Sequence, residues 1–160
     1  MPVVKSYRDV EALRLTVVAE FSAPVERVWR VWEDPRLLER WWGPPGWPAT
    51  FERHEFVVGG RSAYYMTGPD GQRSHGWWRI TAIEPPHRLE FDDGFADEEG
   101  RPLFSGRAIH GVVTLEPHEG GTRMTMVSTF GDAEFMERVI AMGMEDGLTL
   151  AMGQIDDLLA

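Results

Sequence analysis

The chain has 160 residues, 42% of them apolar and 26% charged, and no cysteine. That length suits one globular domain, 1–160, with a full core, and the missing thiols exclude disulfides, thiolate zinc sites, iron–sulfur clusters and cysteine catalysis. With 26 acids against 16 bases the net charge is −10, which argues against nucleic acid and anionic membranes as partners because no phosphate neutralisation is on offer.

The N-terminal stretch carries charges at Lys5, Arg8, Asp9 and Glu11 with no apolar segment behind them, so no signal peptide is expected. No apolar run reaches the about 18 residues of a spanning helix. The expectation is a cytoplasmic protein with no membrane insertion. Residues 12–21 alternate Leu13, Leu15 and Val17 with Arg14 and Thr16, which predicts a strand. Pro24 then suits the start of a helix whose Val25, Val28, Trp29 and Trp32 recur on one face. Asp34-Pro35 caps and opens a second helix with Leu37, Leu38 and Trp41 as its stripe, stopped by Gly43-Pro44-Pro45-Gly46.

Six strand-like runs follow, at 49–56, 61–67, 74–83, 88–93, 106–117 and 122–130, divided by turn residues such as Gly68-Pro69-Asp70-Gly71 and Glu119-Gly120-Gly121. Short turns between consecutive strands predict an antiparallel meander. Asp132 can cap a long C-terminal helix. Its apolar stripe runs from Met136, Val139, Ile140 and Met144 through Leu148, Ala151, Met152, Ile155, Leu158 and Leu159, opposed by Gln154, Asp156 and Asp157. Gly143 and Gly147 weaken the case for an unbroken helix. The expected architecture is therefore α+β, β-α-α-β6-α, with a curved antiparallel sheet wrapped around the C-terminal helix. A twisted sheet seldom packs flush on a cylinder, so a cavity is expected between them. The seven tryptophans all lie between Trp29 and Trp78, while Met124, Met126, Met142, Met144 and Met152 fall late in the chain. Flat rings on one wall and adaptable thioethers on the other suit such a cavity, although a solid core would use the same residues.

The segments FSAPVERVWRVWEDPRLLERWWGP, VVGGRSAYYMTGPDG, ITAIEPPHRLEF, GGTRMTM and GMEDGLTLAMGQIDDLLA occur in the order found in the SRPBCC (START-like) superfamily. The sequence most closely resembles its group of homologues of the activator of the heat-shock-protein-90 ATPase. The resemblance spans about 13–159 and implies a helix-grip fold. It also implies apolar ligands, since members of the superfamily bind lipids, sterols and polyketides, and some are cyclases or hydrolases.

The chemistry-bearing residues give little more. His54, His75, His87, His110 and His118 fall on different segments without metal-ligand spacing, so no metal or cofactor is expected. His110 is expected to face away from the core unless a bulge reverses its strand. Asp92, Asp93, Asp97, Glu98 and Glu99 read as a solvated acidic loop over 94–105 and its approach. No nucleophile motif is visible, so the sequence decides neither for nor against catalysis. The faces of Arg61 and Arg79 depend on register. The expected ligand-binding cavity is lined by Trp41, Trp42, Trp47, Tyr65, Trp78, Phe91, Phe95, Met126, Met144 and Met152, with Trp47 and Phe95 on its rim. The expected occupant is a small apolar or aromatic molecule, bound by a monomer or homodimer. A cyclase or hydrolase acting on an aromatic or polyketide-like substrate, and a chaperone-associated interaction module, are the alternatives.

Overall fold

A computed structural model describes residues 3–160. Eight strands form one antiparallel sheet in the order β1-β2-β8-β7-β6-β5-β4-β3. They are β1 (Val3–Asp9), β2 (Arg14–Phe21), β3 (Ala49–His54), β4 (Arg61–Thr67), β5 (Arg73–Glu84), β6 (Arg88–Ala96), β7 (Ala108–His118) and β8 (Gly121–Thr129). Helices α1 (Val25–Glu33) and α2 (Pro35–Trp41) carry the chain from β2 to β3 at the opposite edge. The C-terminal segment is α3 (Ala133–Ala141), α4 (Met144–Met152) and α5 (Asp156–Leu159). This is the helix-grip architecture the sequence led us to expect.

Local chemistry explains the elements. In α1, Val25, Val28, Trp29, Val31 and Trp32 are buried, with Glu26 in the first turn and Arg30 in the last, as the helix dipole favours. The Asp34 carboxylate accepts from the Arg36 backbone N–H at 2.9 Å and Pro35 opens α2. Asp132 caps α3 by accepting from the Phe135 N–H at 2.7 Å.

Three features differ from the sequence reading. The first is β1, which pairs with β2 at the sheet edge in a stretch where no strand was predicted. The second is the C-terminal helix, which is broken twice. Gly143 adopts φ 92°, and its N–H donates to the Ile140 carbonyl, ending α3 before α4 restarts. Around Gly153 the chain tightens, with Gln154 and Ile155 donating to the Ala151 and Met152 carbonyls. Gly147, by contrast, stays helical. Thirdly, β6 continues past the expected end at 93 through Ala96, so Asp92 and Asp93 lie inside a strand and not at the approach to a loop.

The core is a tryptophan-rich cluster on the concave face. Trp32 meets Trp41 edge-on at 4.7 Å between centroids, and Trp42 meets Trp78 at 4.9 Å. Trp78 stacks on Phe91 at 4.3 Å. Offset and edge contacts of this kind add to the apolar burial itself. The Trp41 indole N–H donates to the Val31 carbonyl at 2.8 Å, which fixes α2 against α1.

Candidate functional site

The sheet and the C-terminal helices leave a cavity of about 250 Å³ between them. On the sheet side it is walled by Tyr64 and Met66 of β4, Asp93 and Phe95 of β6, Ile109 of β7 and Met126 of β8. On the helix side stand Val139 of α3 and Met144, Gly147, Leu148 and Ala151 of α4, with Met142 between them. Trp42, Gly43 and Pro44 close one end, and Ser74 lies at the mouth with the exposed Met142.

Strand pairing decides which residues reach it. Tyr64 lies opposite Gly76, which in turn lies opposite Phe95, so all three share the concave face. A Cβ on Gly76 would come within 2.4 Å of the Tyr64 hydroxyl, so only glycine leaves room for the phenol there. Trp78 is paired with Asp93, placing that carboxyl among rings.

The Tyr64 hydroxyl donates to Asp93 Oδ1 at 3.0 Å. Part of Asp93 borders the cavity space, but protein shields its carboxyl from bulk water. Burial raises its pKa from the ordinary 3.8 to about 7, against the donors Tyr64 and Trp78, which favour the ionised form. Burial, and then the Asp93 charge, push the Tyr64 phenol well above its usual range. The indole N–H groups of Trp42 and Trp78 border the same pair, close enough to favour negative charge there but outside good hydrogen-bond geometry. The arrangement is one polar corner in an otherwise apolar chamber.

Of the residues singled out from sequence, Trp42, Phe95, Met126 and Met144 line this cavity. Trp41, Trp78, Phe91 and Met152 are fully buried behind the walls. Tyr65 faces the other side of the sheet, where its ring meets His75 at 5.5 Å, because the β4 register turns Tyr64 inward. Trp47 rests on Gly68, away from the cavity wall. Tyr64 and Asp93 were not foreseen as lining residues. The 94–105 segment is tied down: Asp97 accepts from Arg101 Nε at 2.8 Å, and Phe104 packs edge-on against Phe95 at 5.4 Å. Gln154, placed by periodicity on the polar face, donates to the Gly43 carbonyl at 2.7 Å.

On the convex face, His110 bridges Asp92 (2.9 Å) and Glu90 (3.1 Å), in the outward orientation its strand alternation indicates. Partial burial lowers its pKa, but the two carboxylates outweigh this and raise it overall. Arg61 and Arg79 pair side by side and are exposed. Among the described residues no cluster of three or more His, Asp or Glu is arranged to hold a metal. No helix among them is long and apolar enough to cross a membrane.

A curled sheet gripping a C-terminal helix over an internal chamber defines a helix-grip protein, a ligand-binding type of fold in general. The chain belongs to the family of activator of Hsp90 ATPase homolog 1-like proteins, whose model matches residues 22–160. It is similar to a protein from Arthrobacter aurescens solved by NMR, with 60% identity and a TM-score of 0.94 over 98% of this chain and 91% of that one. A crystal structure of a protein from Mycobacterium smegmatis is 46% identical, with a TM-score of 0.92 over 99% of this chain and 98% of that one. The AHSA1 protein from Silicibacter pomeroyi is 26% identical, with a TM-score of 0.73 over 91% of this chain and 96% of that one. The search of curated proteins returned no match.

Proposed function

We propose that the protein binds a small, largely apolar molecule in the chamber between the sheet and α4. The observation that carries this is the chamber itself. It is about 250 Å³, walled by rings, thioethers and aliphatic groups, with Tyr64 and Asp93 as its inner polar groups. That size is near the lower limit of ligand pockets, about 300 Å³, and suits a molecule of one or two rings. Four of the proposed contacts are those read from sequence, namely Trp42, Phe95, Met126 and Met144.

Gly147 offers a direct test. It sits in α4 on the chamber wall, and a Cβ there would meet nothing within 4 Å. From that open position the Gly147→Leu side chain should intrude on the chamber, and the substitution should stabilise the helix, since glycine costs about 1 kcal/mol in a helix interior. Neutral 1-naphthylmethanol should bind the native protein saturably at one site per chain and alter tryptophan fluorescence. Gly147→Leu should lose that binding while its melting temperature holds or rises. No binding to the native protein, or equal binding to Gly147→Leu, would refute the proposal.

A second reading, a cyclase or hydrolase working in the same chamber, has one observation in its favour. A carboxyl titrating near neutrality beside a phenol is what an acid–base step requires. Turnover of an aromatic ketone or ester that is lost in Asp93→Asn would establish it.

A further inference from the structure

Asp93 faces the chamber without a countercharge. Among the described residues it is the only acid on the chamber wall, and no Lys, Arg or His shares that wall with it. Tyr64 donates to one carboxylate oxygen, Oδ1, and the nearby Trp78 indole forms no hydrogen bond of good geometry, so the carboxylate keeps acceptor capacity for a donor in the chamber. Enclosing a carboxylate is expensive unless a cation joins it. The aromatic residues Trp42, Tyr64 and Phe95 also line the chamber, and aromatic rings can attract a cation.

We propose that the chamber takes a hydrophobic amine, a one- or two-ring molecule whose single basic nitrogen binds as an ammonium against Asp93. The inference rests on the chamber being a binding site and adds the chemical class of its occupant. The surroundings agree with it. From the mouth, at Ser74, Phe95 and Met142, a shallow groove leads outward past Asp97 and Glu98. The one fixed positive charge in that groove, Arg73, is drawn over the Tyr65 ring at 4.2 Å. The chain as a whole carries a net charge of −10, which concentrates cations near its surface. A carboxylate ligand would meet Asp93 with like charge. A neutral carbonyl ligand would require Asp93 to stay protonated as a donor.

Proton linkage separates these occupants. Asp93 titrates at about 7, and among the described residues the only other ionisable group on the chamber wall is Tyr64. Trp78 of β5, Ile109 of β7, Val139 of α3 and Met144 of α4 bring no charge to it, and Asp92 and His110 lie on the opposite face. An ammonium ligand holds Asp93 ionised, so its affinity should rise with pH through that range.

The test compares 1-naphthylmethylamine with its neutral counterpart 1-naphthylmethanol by calorimetry at about pH 8 and about pH 5. At the higher pH the amine should bind about tenfold tighter or more, as a charge-assisted contact predicts. That preference should shrink at the lower pH and vanish in Asp93→Asn. The alcohol should bind similarly in every case. Equal affinities at the higher pH, or a preference that persists in Asp93→Asn, would overturn the amine assignment while leaving the binding site standing. Failure of both probes would overturn the two together. Should Asp93→Asn not fold, the pH comparison on the unaltered protein decides.

Discussion

A carboxyl held against Trp78 and Tyr64 costs stability once it ionises. Asp93 has a pKa of about 7 when folded, against an ordinary 3.8. Below about pH 4 both folded and unfolded chains are protonated here and nothing is lost. As pH rises the unfolded chain ionises first, so stability falls until the folded carboxyl also ionises near pH 7. The full cost above that is at most about 4 kcal/mol. Asp93→Asn keeps an acceptor for Tyr64 and removes the charge. In urea titrations it should stabilise the protein at about pH 8.5 by a large part of that figure, and hardly at all at about pH 4. His110 also has a raised pKa, so its contribution is present below 6.5 and lost as pH rises through its folded value. His54 runs the other way: burial lowers its pKa, so its contribution is lost as pH falls. Both are the same in wild type and variant at a given pH and cancel in the comparison. An Asn effect of equal size at both pH values would exclude the carboxyl as its cause.

At the scale of elements, the turn at 153–155 is held from outside. Gln154 Nε2 donates to the Gly43 carbonyl at 2.7 Å, tying the end of α4 to the loop that follows α2. Gln154→Ala should cost about 1 kcal/mol in chemical denaturation, while Asp157→Ala on the exposed face should stay within about 0.5 kcal/mol. Ile155, fully buried, should cost about 3–5 kcal/mol when replaced by Asp, since that encloses an unpaired carboxylate. Helical periodicity placed Ile155 inward but left Gln154 outside, because a 3.6-residue wheel assumes the regular helix that Gly153 tightens. The meander was legible because alternation and turn glycines agree across 49–130. The edge strand β1 was not, since an edge exposes both faces and needs no apolar alternation. Inside the site, adjacent Tyr64 and Tyr65 could not be told apart until β4 was paired with β5 and Gly76 fell opposite Tyr64. Asp93 was hidden by its acidic neighbours, although the spacing Phe91, Asp93, Phe95 would have placed all three on one face once the strand was known to continue.

Across the whole molecule, the two walls of the chamber differ in how they can move. Strands β4 to β8 are each hydrogen-bonded on both sides, so the sheet wall cannot part without breaking ladders. The opposite wall is interrupted at Gly143 and again near Gly153. Between these breaks α4 hangs from two polar tethers. Near its start, Glu145 accepts from Ser6 Oγ and Arg8 Nε of β1, each at 2.7 Å, and just beyond its end Gln154 reaches Gly43. The 94–105 segment, read from sequence as a solvated acidic loop, is instead pinned by the Asp97–Arg101 pair and by Phe104 packed between Phe95 and Phe135. The break at Gly143 therefore makes the start of α4 the part of the wall expected to yield if a ligand enters past Met142. Saturating the protein with 1-naphthylmethanol should slow amide exchange across 142–150, where Met144, Gly147 and Leu148 line the chamber. Exchange in the turn at 97–101 should not change, because that turn neither lines the chamber nor moves to open it. Slowing confined to 94–105, with α4 unaffected, would place the gate on the sheet side and refute α4 as the yielding wall.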